Sequence, residues 1–255
     1  MESLAWLEAA GWGGLASLGL VVGALAGLFS PLEHRGIARA MAVGAGVLLA
    51  TASLDLTIAA IGRGGALQTA VFLALGAGSF SLANAWLARR GAKDRKRCGG
   101  CVQQATESKH PGSGLAIAIG TILDSAPEGI VLGIDTARSG GPQFAVLAAF
   151  MLGNFPEALS GTAGMAAAGR SRRYILGVWL AATLFMSAVA ALSAAFLVRM
   201  PAAAESCVDA FAAGALLSMT VETMIPEAAH ETPTLNGMLA TGGFVVLLLL
   251  LAIAS

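Results

Sequence analysis

The sequence predicts an all-α, polytopic membrane protein of eight transmembrane helices, and three observations carry that prediction. The chain is 56% hydrophobic and only 12% charged, so a soluble surface cannot be built from it. Its Ala, Leu, Val and Gly gather into runs of about twenty residues, the length that crosses a hydrocarbon core of roughly 30 Å. Only one long polar stretch, about 89–112, interrupts these runs, which leaves a single transmembrane domain over 1–255 and no room for a soluble one.

The spans follow in order. The first, 13–31, comes after Met1-Glu2-Ser3-Leu4-Ala5-Trp6-Leu7-Glu8, which has two acids and no base. That is not the basic opening of a secretory leader, so the span is expected to be retained. The second, 40–62, follows Arg35 and Arg39 and contains Asp55, and the third, 65–88, stops before Arg89 and Arg90. The fourth and fifth, 113–136 and 143–167, each hold a proline-glutamate step, and the sixth, 174–198, follows Arg172 and Arg173. The seventh, 205–228, carries Glu222 and Glu227, and the eighth is 235–254. With the N-terminus outside, twelve of the fifteen Lys and Arg fall in inside loops, and only Arg63, Arg138 and Arg199 fall outside. The positive-inside rule therefore places both termini externally and the 89–112 loop in the cytoplasm. With no organelle-targeting pattern, a plasma membrane is expected, most simply a bacterial inner membrane.

Span two and span seven show a short internal match. Gly44-Ala45-Gly46-Val47-Leu48-Leu49 lies over Ala212-Ala213-Gly214-Ala215-Leu216-Leu217, and Ala60 then falls on Ala228. The two spans run in opposite directions, so a real repeat would be an inverted one, the kind that surrounds a midplane site in alternating-access carriers.

The chemistry sits in the fourth and fifth spans, in Asp124-Ser125-Ala126-Pro127-Glu128-Gly129 and Gly153-Asn154-Phe155-Pro156-Glu157-Ala158. A carboxylate at the bilayer centre costs about 2.5–3.5 kcal/mol on insertion scales, so Asp124, Glu128 and Glu157 together need roughly 8–10 kcal/mol of compensation. No basic residue lies within spans four, five or seven to provide it. A bound cation would. Asp124 and Glu128 are i and i+4, and Asn154 and Glu157 are i and i+3, so each pair shares a helix face. Pro127 and Pro156 cannot donate to the carbonyls of Leu123 and Leu152, which frees two more oxygens and bends the helices. The donor set of Asp124, Ser125, Glu128, Asn154 and Glu157 is all oxygen, which suits Mn²⁺, Mg²⁺ or Ca²⁺ and is accepted by Fe²⁺ and Zn²⁺. A structural alternative is a Pro-Glu kink whose glutamate is protonated or paired.

These residues resemble the ZIP family of divalent-metal transporters. The resemblance rests on the two Pro-Glu motifs in spans four and five, on eight spans with a loop after the third, and on Glu222-Thr223-Met224-Ile225-Pro226-Glu227-Ala228 at the end of span seven. It implies inward passage of zinc or a related ion (Mn, Fe, Co) as transported substrate, with no resident cofactor. Asp124 stands where the family's first motif has His, Ser125 where it has Asn, and Gly153 where the second has a polar residue. The predicted site thus has no imidazole.

Further candidates are Asp55, Glu222, Glu227 and His230 along a pathway; Asp55 and Glu222 are equally readable as helix-end residues in contact with water, and Glu227, beside His230, reads first as a solvated end residue. Cys98, Cys101 and His110 are candidates for a loop metal site, with the CxxC also readable as a redox pair. The tract Arg95-Lys96-Arg97 reads as a topology signal flanking a membrane helix, and no nucleic-acid role is inferred. Expected partners are divalent metal ions and the lipid bilayer, with a homodimer left open. No GxxxxGK[ST] motif is present, and none is required: a dication entering across 100 mV gains roughly 4.6 kcal/mol. The alternatives are a ZIP-like metal sensor or membrane scaffold that does not transport, an aspartyl protease using Asp124 with Asp135, and a thiol oxidoreductase using the CxxC. The protease and oxidoreductase readings are disfavoured, because Asp135 falls near the outer end of span four and the cysteines sit in a basic loop. The chain is expected not to be an enzyme.

Overall fold

The computed structural model describes residues 4–30, 33–96, 104–197, 200–232 and 234–254, and among them there is no strand. Eight helices are long and apolar enough to cross a membrane: span 1 Ala5–Phe29, span 2 His34–Gly64, span 3 Ala66–Ala92, span 4 Ser113–Ser139, span 5 Phe144–Ala167, span 6 Arg172–Phe196, span 7 Ala203–His230 and span 8 Asn236–Ile253. Helix is the form such segments must take, because hydrocarbon offers no partner for an unpaired backbone group. The first helix starts well before the expected residue 13. Its extra turns carry Glu8, which weakens the apolar signal, yet Ala9 and Gly13 are buried and the segment lies against spans 4 and 6.

The helices form two groups. Span 1 packs on spans 5 and 6, and span 4 packs on span 6. Span 2 packs on spans 7 and 8, and span 3 on span 7. The groups meet where span 5 touches span 2 and span 4 touches span 7. Exchanging 1 with 6, 2 with 7, 3 with 8 and 4 with 5 maps this set of contacts onto itself, so the short sequence match belongs to an inverted repeat of the whole bundle.

The closest approaches obey the same exchange. A Cβ on Gly46 would overlap the carbonyl oxygen of Ala240, and one on Gly243 that of Val43. In the other half, a Cβ on Gly214 would overlap the carbonyl oxygen of Leu73, and one on Gly76 that of Phe211. Glycine is what lets these backbones touch, since helices in lipid associate by close packing rather than by hydrophobic exclusion. Each of the matched spans also widens into π-helix, at Thr51–Thr57 in span 2 and Thr220–Met224 in span 7. Such bulges often mark functional positions.

The two proline-bearing spans differ. Span 4 is interrupted at Ser125, with a new helix starting at Ala126 and Pro127 in its first turn. Span 5 runs unbroken from Phe144 to Ala167 with Pro156 inside it, so a bend was expected in both and a break is found in one. Around them lies a continuous apolar core that includes Leu48, Ile117, Leu132, Phe150 and Met186.

Candidate metal site

Asp124, Ser125, Glu128, Asn154 and Glu157 are each at most 3% exposed. Spans 4 and 5 bring all five into the interior. The break at Ser125 does not separate the acids of span 4. Asn154 Nδ2 donates to Glu128 Oε2 at 2.7 Å, and Asp124 shares a cation with Glu157.

That cation comes from an element the sequence reading had assigned elsewhere. Arg95 and Lys96 are not the solvated flank that a topology signal usually is; they turn inward and are 2% and 5% exposed. Arg95 grips Asp124 with a two-pronged fork, Nε to Oδ2 at 3.0 Å and Nη2 to Oδ1 at 2.8 Å. Lys96 Nζ lies 3.2 Å from Asp124 Oδ2 and 3.0 Å from Glu157 Oε2. For Asp124 and Glu157, the compensation sought within spans four, five and seven is therefore supplied by the loop. Gly91, at φ 98°, is where the chain leaves its helical path to make that turn.

The inward segment is fastened through its backbone. Ser160 Oγ donates to Lys96 O at 2.5 Å, and Gln104 Nε2 donates to Arg95 O at 2.7 Å. Arg95 Nη1 also donates to Asn84 Oδ1 at 2.7 Å, and Asn84 Nδ2 donates to Glu222 Oε2 at 2.7 Å. Ser81 donates to the other oxygen of Glu222. A polar chain thus runs from the π-helical turn of span 7 through span 3 and the loop to Asp124. Among the described residues no three His, Cys, Asp or Glu side chains gather closely enough to hold a metal ion, in keeping with an ammonium wedged between Asp124 and Glu157.

The remaining candidates separate in space. Glu227 is not a solvated end residue: it is 2% exposed, with its carboxylate 3.3 Å from Ser160 Oγ, beside the inward loop. His230 is exposed. His110 is exposed in the loop, while Cys98 and Cys101 lie outside the described residues. Asp55 belongs to a second charged cluster at the opposite end of the bundle, facing Asp209, Arg63 and Arg138. Arg63 pairs with Asp209, and Arg138 reaches Glu205 at 3.2 Å and Asp209 at 3.3 Å. Asp135 faces this cluster and not Asp124, so the two aspartates do not form a catalytic pair.

Arg95, Lys96, Asn84, Ser160 and Gln104 escaped the sequence reading. A signal was available: three membrane carboxylates without internal bases stood beside a loop with an excess of them. Further along, Glu107 anchors the loop to the start of span 4, accepting from the N–H groups of Gly112 and Gly114 at 2.7 Å each and pairing with Arg170 at 3.1 Å. The Gly114 and Gly112 N–H groups, and then Arg170, hold the Glu107 carboxyl below its ordinary range.

No curated protein matches the chain. The family model described as ZIP Zinc transporter matches residues 90–251, which takes in the inward loop, both Pro-Glu motifs and the π-helical turn of span 7. The chain therefore belongs to the ZIP family of zinc transporters, a multi-pass membrane protein of a family that moves divalent metal ions.

Proposed function

We propose that this protein carries a divalent cation into the cytoplasm through a site between spans 4 and 5, with Asp124, Glu128 and Glu157 as principal ligands. Asn154 and Ser125 stand next to them as neutral oxygen donors. One observation carries the reading: two tethered cations, Arg95 and Lys96, sit on two of these three carboxylates, Asp124 and Glu157, and their summed charge equals that of one divalent ion. The site neutralises two positive charges among buried side chains. An arriving metal ion would satisfy the same oxygens when the loop withdraws.

The positive-inside rule puts this loop in the cytoplasm, in a plasma membrane that is most simply a bacterial inner one. In the conformation described here, the loop then closes the carboxylates from the cytoplasmic side. Release inward requires Arg95 and Lys96 to move, and their return would repel an ion that tried to bind again. The acids ride on spans 4 and 5, within the group formed with spans 1 and 6. Spans 2, 3, 7 and 8 form the other group. Motion of one group against the other would expose the site alternately, as repeat-built carriers do. The all-oxygen set favours Mn²⁺ and Fe²⁺ more than an imidazole site would, while still accepting Zn²⁺.

Uptake of Zn²⁺, Mn²⁺, Fe²⁺ and Co²⁺ into proteoliposomes tests this. Glu128→Gln should abolish uptake of whichever ion is carried; uptake left intact would sink the assignment. A second reading draws on the same two side chains. If metal displaces them but never passes, the protein is a sensor whose loop reports occupancy, and binding without flux would distinguish it.

A further inference from the structure

The loop end of the bundle carries a second concavity that the transport reading does not use. Two cavities of about 350 and 370 Å³ lie there, and Arg89 lines both. The first is the more polar of the two, with Lys93 and Lys109 in its wall. The second is mainly apolar, with Trp86 and Leu115 in its wall and Arg90 at its rim. Four cations line the pair against one carboxylate, Asp94. Among the described residues, no ion pair engages Arg89, Arg90, Lys93 or Lys109.

The apolar half opens on the membrane-facing side. Leu115 is 68% exposed and Trp86 50% exposed, on helices whose outer faces meet lipid. The Arg90 guanidinium lies 4.2 Å from the centre of the Trp86 ring, an arrangement suited to the headgroup level, where tryptophan and arginine anchor a helix. The site therefore offers a basic compartment beside an apolar slot, with Arg89 lining both, at the end that the charge count assigns to the cytoplasm. Basic pockets between helices on that side hold acidic lipid headgroups. A free anion would have no use for the apolar half.

We propose that the cavities between the end of span 3 and the start of span 4 bind an anionic phospholipid, its headgroup on Arg89, Lys93 and Lys109 and an acyl chain along Trp86 and Leu115. The site lies in the segment that delivers Arg95 and Lys96 to the carboxylates, so a bound lipid also holds the root of the loop.

The test is native mass spectrometry of the full chain released from micelles doped with phosphatidylglycerol or phosphatidylcholine. Wild type should retain phosphatidylglycerol selectively. The exposed triple variant Arg89→Gln, Lys93→Gln, Lys109→Gln should lose about a hundredfold in retention, roughly fivefold per basic residue. Arg172→Gln with Arg173→Gln, which removes charge elsewhere at the same end, should retain lipid like wild type. Leu115→Asn leaves the charge untouched and should weaken retention of the same lipid, which keeps the test open if the triple variant fails to fold. Equal retention of both lipids, or full retention in the triple variant, would overturn the proposal. So would displacement of the lipid by millimolar inorganic phosphate, which would make this a free-anion site.

Discussion

Replacing Lys96 by Met keeps most of the length of the side chain and removes the charge that bridges Asp124 and Glu157. At 3.2 and 3.0 Å, each contact is worth about 5 kcal/mol at an effective dielectric of about 20, before the cost of burying the ions is subtracted. Breaking a buried pair by deleting one partner costs about 3–5 kcal/mol net. Taking about 3 kcal/mol as the work of opening the Lys96 contacts, the metal-ready state of the wild type is populated roughly once in 150 molecules. Apparent affinity is reduced by that fraction, because only the open state can bind. Lys96→Met should therefore bind Mn²⁺ or Zn²⁺ about a hundredfold more tightly than wild type, although Arg95 still occupies Asp124. The variant should also unfold at lower temperature without metal, since Glu157 has lost its partner, and recover more than wild type when metal is added. Isothermal titration in detergent reads the affinity directly. An affinity equal to or weaker than wild type would refute the idea that Lys96 and the metal ion compete for the same oxygens.

Two further outcomes are expected. Gly214→Leu should destabilise the bundle by about 1–3 kcal/mol, because its Cβ has no room beside the Leu73 carbonyl, whereas Gly62→Leu, where a Cβ meets nothing, should have little effect in the same thermal-unfolding assay. Anchoring of the loop by Glu107 should depend on pH in one direction. The folded state lowers its pKa, so the anchor is fully present above the ordinary glutamate range and is lost as pH falls through the lowered value. Protection of the Gly112 and Gly114 amides against hydrogen exchange, taken relative to the intrinsic rate at each pH, should fall over that acid range in wild type, and Glu107→Gln should show the low protection already at neutral pH.

Much of the architecture could be read from hydropathy, because eight apolar runs admit only helices in lipid. The inverted repeat was legible only as a six-residue match. Its proof is in packing, where Gly46 and Gly214 each meet a neighbouring carbonyl in equivalent ways. The acids and Asn154 were legible because charge in a membrane segment demands an explanation. Arg95 and Lys96 were not, since their sequence neighbourhood is that of any basic flank, and only the turn at Gly91 sends them inward. Glu227 was misplaced for a similar reason. Near the end of a span a glutamate usually meets water, but here Ser160 of span 5 covers it.

The claim that a metal ion takes the place of Arg95 and Lys96 on the carboxylates can be seen directly by anomalous diffraction from crystals of the protein grown with Mn²⁺. The account predicts an anomalous peak among Asp124, Glu128 and Glu157, with the Lys96 ammonium withdrawn from Glu157. A peak elsewhere with both ion pairs intact, or a protein saturated with metal whose carboxylates still hold Arg95 and Lys96, would contradict it.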